Sequence, residues 1–579
     1  MPDQRSLPIP AEHREFTVKV DGQDVERVNQ LLSAVITKAA DRISSARLVY
    51  LDGNASESNF PLSNSDTFIP GKEIEILAGS INNPVSLFIG IIIQQSIKVR
   101  DNTSPQLIVE CRHKAVKLTI GRKSAYFYDQ TDSDVITTIL STYSFLPDVE
   151  STPAMHHQLV QYYSTDWDFV LTRAQANGKM IFTNDDSVKV KAPDSGGTAV
   201  CSLQFGATIL EMDADIDARL QFTAVKSVSW DPAQQALVEK DAADPGDSAP
   251  GNLLSSDLAS VAGPDSFQLQ QNSLLEEESQ SWADAQWLKS KMSQVSGRMK
   301  CEGMGNVNPG DLVTIAGISD RYNGDVFLTG VRQSFDLVEG WKTQLQFGNA
   351  KEWLAEQSDV SAPKAGALLP GISGLQIGVV ASNVDPEGEE RVRVKMPMVN
   401  PEEDGTWARV SSPDAGDQRG FFFRPEVGDE VVLGFLDDDP RHPVILGMLN
   451  SSAKPAPLTG SDDNNEKVYQ SRSGMKIYFD DDKKILKLET PGGMKISMDE
   501  DAGDLKLEDK NDNKITMNSD GIKIESGGKI EIKSRKDFTL DGMNVELSAQ
   551  SSLKVKGTSG LDVEASGNLT LKGAMVQIN

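Results

Sequence analysis

The segments Ile522-Lys523-Ile524-Glu525, Ile530-Glu531-Ile532-Lys533, Phe538-Thr539-Leu540, Val545-Glu546-Leu547, Leu553-Lys554-Val555, Leu561-Asp562-Val563-Glu564, Leu569-Thr570-Leu571 and Val576-Gln577-Ile578 repeat one pattern. Each reads apolar–polar–apolar, which sends its apolar side chains to one face of a strand. They recur every seven or eight residues, usually with glycine between them, as at Gly527, Gly542, Gly557 and Gly567. Upstream units starting at Met475, Ile485, Met494, Leu505 and Ile515 lie nine to eleven residues apart and have acidic turns. They read as the wider base of the same stack. A fixed short period indicates a repeat architecture around a narrow apolar axis.

Each unit offers two or three inward apolar groups, a thin core for one chain. Two solutions stay open: one chain coiling on itself, or three chains wrapping one axis. The second pairs most strand edges and so blunts aggregation. With layers ~4.8 Å apart, thirteen units give a rod of roughly 60 Å. Met475–Asn579 holds 16 Lys+Arg and 19 Asp+Glu and no Cys, His or Trp, so it is nearly neutral and not equipped for chemistry.

At 579 residues the chain is longer than one domain. Its net charge is −28, of which the repeat supplies only −3. Such a surface repels nucleic acid. Cys111, Cys201 and Cys301 are far apart, which argues against a disulfide framework. The opening MPDQRSLPIPAEHREF lacks the apolar segment of a signal peptide. The apolar run near Val85–Ile93 is too short to span a bilayer.

From the start, Phe16–Val20 alternates as a strand, Val28–Ala46 reads as partly helical, and Arg47–Leu51, Thr67–Gly90 and Leu107–Ile120 continue a β pattern. Asp134–Leu146 and Gln158–Gly178 read as helical insertions. Ser164 or Thr165 is placed to cap the second, with Trp167 and Phe169 as packing residues. Strands follow at Lys179–Lys191, Ala199–Met212 and Asp217–Trp230. Ala233–Phe267 reads as a surface insertion and Glu276–Lys300 as a helix. Pro309–Phe347 reads as a second β barrel or its completion, with a tight turn at Asn323-Gly324. The expected divisions are 1–365, 366–450, a linker 451–474, and 475–579.

Five short strands, Gln376–Ala381, Arg391–Lys395, Thr406–Val410, Glu430–Leu436 and Val444–Met448, fit a small closed barrel of the OB type. Within it stand Asp385-Pro386-Glu387-Gly388, Arg391-Val392-Arg393-Val394, Trp407-Ala408-Arg409-Val410, Pro425-Glu426-Val427-Gly428-Asp429-Glu430 and Pro443-Val444-Ile445-Leu446-Gly447. This stretch resembles the OB domain of VgrG-type spike proteins of contractile injection systems: type VI secretion spikes, phage tail hub–spikes and extracellular phage-tail-like particles. The resemblance implies a mainly β fold. Hub-like paired β barrels with helical insertions would come first, then the OB barrel, then a triple-stranded β-helix needle formed by a homotrimer. It also implies a tail tube protein and baseplate components at the hub, a separate PAAR-like cap at the tip, effector cargo, and no nucleic acid. Assembly would occur in the cytoplasm and delivery outside the cell, with a lean towards an extracellular particle. Gly428 and Asp429 are carried over as turn residues only.

No catalytic, cofactor or metal residues are expected. Ser451–Tyr469 is too short for an inserted hydrolase, and the chain ends on a needle strand. Asp437-Asp438-Asp439 with Arg441 and His442 reads as a charged loop, and Asp480-Asp481-Asp482 as a turn. His156-His157 lacks zinc-ligand spacing. Two competing readings remain. A glycan-binding trimeric fibre would use exposed Trp407, Phe421, Phe422 and Phe423, and a peptidoglycan hydrolase would need a buried carboxylate pair in the N-terminal half.

Overall fold

A computed structural model describes residues 14–26, 30–80, 83–185, 187–231, 234–262, 265–271, 274–349, 353–356 and 364–578. The reading of the opening segment falls, up to residue 13, outside the described residues. The described residues form two compact units. One runs up to Gly374 and includes Phe435–His442; the other comprises Leu375–Gly434 and the chain from Pro443 onward.

A 13-stranded sheet dominates the first unit. Its middle is the antiparallel pairing of strand Gly324–Asp336 with strand Leu31–Ala39, in register Phe335↔Ala34 and Gln333↔Ile36. On one side lie Ser45–Leu51, Thr103–Arg112, Asn83–Arg100, Glu73–Ser80 and Arg14–Val20; on the other, Gly340–Phe347, Val295–Glu302 and Ile209–Ile216. The two expected barrel lobes therefore share one continuous sheet. Each half keeps its own core: Ile36, Leu48, Tyr50, Phe68 and Leu107 in one, Leu203, Met299, Val313, Leu328 and Leu345 in the other. Trp341 belongs to the first, and its indole N–H donates to Gln333 Oε1 at 2.8 Å.

A third core gathers the helices. Helix Asp132–Ser141 and helix Asp166–Ala176 pack Val135, Ile136, Trp167, Val170 and Leu171 against Ile181 and Val188. Thr165 is the N-cap of the second helix, its hydroxyl accepting from Asp168 N at 3.0 Å. Trp167 is buried and Phe169 stacks on Phe127.

Five expectations are corrected. Leu31–Ala39 is a strand, not partly helical, because Ala34, Ile36 and Lys38 alternate inward and the β-branched run favours the pleat. Gln158–Ser164 belongs to strand Met155–Ser164, so only the second half of that segment is helix. The helix from Glu276 ends at Met292. Val295, Met299 and Cys301 then face inward from a strand. Lys114–Thr119, inside the stretch read as β, is a short 3-10 helix whose first turn is capped by the His113 side chain. The described part of 233–267 carries strand Ala236–Asp241, helix Ser255–Ala262 and the start of strand Phe267–Gln271. The two strands flank Val225–Asp231 in a three-stranded sheet.

In the second unit, strands Gln376–Ser382, Val392–Lys395, Thr406–Val410, Pro443–Met448 and Glu430–Phe435 close a barrel in that spatial order. Val380, Val392, Val394, Ala408, Val431 and Leu433 fill it. At Gly405 (φ +83°) a Cβ would stand 1.9 Å from the Val394 carbonyl oxygen. Gly428 has φ +89°, and the Asp429 carboxylate accepts from Glu426 N at 2.9 Å, closing the turn the sequence suggested.

The terminal repeat begins earlier than expected. Glu466–Gln470, inside the segment read as a linker, is a strand pairing with Lys476–Asp480. It opens a seven-stranded antiparallel meander that continues through Ile485–Glu489, Lys495–Asp499, Asp504–Glu508, Lys514–Asn518 and Gly521–Glu525. The five-residue strands are joined by turns of four or five residues, and the last two by Ser519-Asp520 alone. No described residue from Ser526 to Ile578 pairs in a strand.

Candidate functional site: an uncovered apolar face on the terminal repeat

The meander register lines up two apolar columns. One runs Tyr469, Ile477, Leu488, Ile496, Leu507, Ile515, Ile524; the other runs Phe479, Leu486, Met498, Leu505, Met517, Ile522. Second and fourth positions of a five-residue strand project to the same side, so both columns share one face. Among the described residues most of this face is left open: Phe479 is 45% exposed, Met498 51% and Ile524 57%. Part of it is a concave cavity of about 750 Å³ lined by Met475, Leu488, Met494, Ile496, Leu507, Ile515 and Ile530. The opposite face is polar. The column Lys476, Glu489, Lys495, Glu508, Lys514, Glu525 alternates in sign, with ion pairs Lys495–Glu489 at 3.9 Å and Lys514–Glu508 at 3.0 Å.

The shorter units are barer still. Ile532, Leu547, Val563 and Leu571 are each 65–70% exposed. Contiguous exposed apolar surface of this extent marks an interaction site. Covering each such side chain contributes about 1.5–3 kcal/mol.

Other residues singled out in the sequence fall elsewhere. Asp439 is buried and pairs with Arg441 at 2.6 Å; the Arg441 hydrogen bond holds its carboxyl down at about 2. Asp437 and Asp438 take positive φ in a tight loop. Asp480 accepts from Lys483 N at 3.0 Å at the head of a turn. His156 points inward and His157 outward, to Asp129 at 3.1 Å, as neighbours on a strand must. Among the described residues no group of three or more His, Cys, Asp or Glu has metal-binding geometry. Trp407 is half-buried with Arg391 and Arg393 each 5.7 Å from its ring, whereas Phe421, Phe422 and Phe423 are exposed.

Sequence reasoning missed one polar cluster. Arg173 donates to both Asp132 oxygens at 2.6 and 2.9 Å and to Glu278 at 2.8 Å, and His156 Nε2 lies 3.2 Å from Asp132. These residues come from three helices and a strand, so no local spacing reveals them. Burial pushes the Asp132 carboxyl up, but hydrogen bonds from His156 and Arg173 outweigh it and hold it well below the usual range. Two carboxylates thus meet in the N-terminal half, but Arg173 joins them and keeps Asp132 ionised. A general acid needs the opposite.

A family model described as the Alg8 N-terminal domain matches residues 10–336, more than half of the chain. The chain belongs to the Alg8 N-terminal domain family. In this family member, residues 376–449 also match the type VI secretion system/phage-baseplate injector OB domain, which coincides with the closed barrel. Similar curated proteins include the actin cross-linking toxin VgrG1 of Vibrio cholerae serotype O1, 36% identical over 101 residues, covering 16% of this chain and 9% of that protein. The type VI secretion system spike protein VgrG3, also of Vibrio cholerae serotype O1, is 32% identical over 115 residues, covering 18% of this chain and 11% of its own length. The chain thus spans about a tenth of the length of each of these relatives. Among solved structures, a tail protein from Neisseria meningitidis aligns with a TM-score of 0.43 at 15% identity, covering 59% of this chain and 98% of that one. The resemblance to VgrG-type spike proteins therefore holds, and the mainly β fold with an OB barrel is as expected.

Proposed function

We propose that three copies of this chain form the hub and spike at the tip of a contractile, phage-tail-like injection machine. One observation carries the reading: the terminal repeat exposes two apolar columns and a run of unpaired short units that a single chain leaves uncovered. Three copies around one axis bury those columns inward and leave the alternating Lys/Glu column to solvent. The alternative of one chain coiling on itself would need strand pairing after Glu525, and the described residues have none. In this reading the Alg8-family region sits on the tail tube and baseplate, and the OB barrels hold the needle on the axis. A separate conical cap sits on the last units. Contraction drives the assembly through a target envelope, carrying effectors out of the cell that built it. A charged, closed surface suits piercing rather than dissolving in a bilayer. Among the described residues no helix is long and apolar enough to cross a membrane.

The test is the mass of the purified chain in solution. A particle of three 62.9 kDa chains is expected; a well-folded monomer would overturn the reading.

A further inference from the structure

The apolar face of the meander does not stop at its first strand. Tyr469 heads one column, and the Phe423 ring meets it edge-on at 4.9 Å. The Phe421 ring stacks on Phe423, with centroids 5.8 Å apart. Three rings thus run in line from the meander face onto the chain between barrel strands Thr406–Val410 and Glu430–Phe435. Phe421 is still 55% exposed. Phe421 and Phe423, two residues apart and stacked, share one side of this loop. Phe422 between them is 75% exposed and leans elsewhere, its ring 5.1 Å from the Arg424 guanidinium.

The loop that carries the rings is held in place. The Asp414 carbonyl accepts from Phe421 N at 2.9 Å, and the Ser412 hydroxyl lies 2.9 Å from the Phe421 carbonyl oxygen. Gly420 turns the chain at φ +126°, where a Cβ would stand 2.3 Å from the Asp414 carbonyl oxygen. Arg424 donates to the Asn383 carbonyl at 2.9 Å and to the Glu390 carboxylate at 2.8 Å. The Asn383 amide in turn donates to the Pro425 carbonyl at 2.8 Å. Exposed rings on a loop fixed at both ends are preorganised for contact, because little freedom is left to lose when a partner covers them. Ser412 and Arg424, the polar side chains bonded to this loop, are engaged within the chain. The rings therefore offer a partner apolar surface rather than hydrogen bonds to a sugar.

We propose that Phe421 and Phe423 form an interface with the same two rings of a second copy of this chain, closing the barrel end of the apolar axis. This rests on the three-chain reading above. In that reading the columns face the axis, and Phe423 touches Tyr469 at the head of a column, so the rings continue the same face. Three-fold rotation brings their counterparts in the other two copies to the same height, and each copy presents its rings to its neighbours. Six rings at one level make an apolar plug where the thin repeat begins. Aromatic pairs at centroid distances of about 4.5–7 Å add a preferred geometry to the burial. Phe422, on the other side of the loop, stays outside the plug.

The experiment uses the full chain in four forms: wild type, Phe421→Ser, Phe421→Leu and Phe422→Ser. Both residues are exposed in one chain, so the barrel core is untouched. The readout is the urea concentration at which three chain masses give way to one in sedimentation, with near-ultraviolet circular dichroism following the fold. Phe421→Ser is expected to lower that concentration by about 0.5 M or more, since three side chains leave the interface at once. Phe421→Leu, still apolar, should fall between Phe421→Ser and wild type, and Phe422→Ser should match wild type. A wild-type trimer with Phe421→Ser unmoved, or with Phe422→Ser moved as far as Phe421→Ser, overturns the ring proposal while leaving the spike reading standing. Retention of the wild-type trimer on immobilised lipopolysaccharide, lost in Phe421→Ser, would assign the rings to a glycan and overturn it too. A monomeric wild type overturns both.

Discussion

Phe423 and Tyr469 meet edge-on, ring centroids 4.9 Å apart at 64°. Phe423 stands between the barrel strands and Tyr469 heads an apolar column of the meander, so the contact ties the barrel loop to the first meander strand. Arg472 adds a salt bridge to Glu426 at 3.0 Å. A double-mutant cycle with Phe423→Ala and Tyr469→Ala should give a coupling of about 0.5–1.5 kcal/mol in denaturant unfolding. Strict additivity would mean the rings are only neighbours.

Arg173→Ala should destabilise the first unit by about 3–5 kcal/mol, because it leaves buried Asp132 without its charge partner. Urea unfolding followed by tryptophan fluorescence measures this.

The same cluster sets a pH dependence. The Asp132 carboxyl is held below its ordinary value, so its contribution is fully present above about pH 4 and lost as pH falls through the depressed folded value. Asp132→Asn should flatten the acid limb of a stability-against-pH curve; an unchanged limb would assign acid sensitivity elsewhere.

Gly405→Ala should disrupt the OB barrel. A Cβ there meets the Val394 carbonyl oxygen, and positive φ alone costs about 1–3 kcal/mol for a non-glycine residue. Limited proteolysis between Leu375 and Asn450 should accelerate in this variant.

In the proposed three-chain assembly Ile532 and Leu547 face the axis, so Ile532→Asp with Leu547→Asp should shift the particle from three chain masses towards one. Unfolding of the first unit should not change. A trimer that persists would place those units outside the buried interior.

In the proposed assembly a separate cap sits on the last units, so deleting Leu569–Asn579 should abolish its recovery with the purified chain. Unchanged recovery would mean the cap docks elsewhere.

The barrel was legible because its strands alternate apolar residues at single-strand length between turn signals, and its five expected strands match those observed to within a residue or two. Thr165 as helix cap was legible for the same local reason. Leu31–Ala39 misled because a mixed run of apolar and charged residues is ambiguous until a partner strand selects the pleat. Glu276–Lys300 misled at its end, where Val295-Ser296-Gly297 leaves the helix to join a strand formed elsewhere.

By itself the sequence determined which faces are apolar, where the chain can turn, and that the last hundred residues repeat with only two or three apolar groups per unit. Only the tertiary structure decided that Gly324–Asp336 lies beside Leu31–Ala39, that Arg173 bridges Asp132 and Glu278, and that the repeat changes from a paired meander to unpaired units at Glu525. Periodicity is a local property written along the chain. Which distant strand or charge comes to lie opposite depends on how whole layers bury one another.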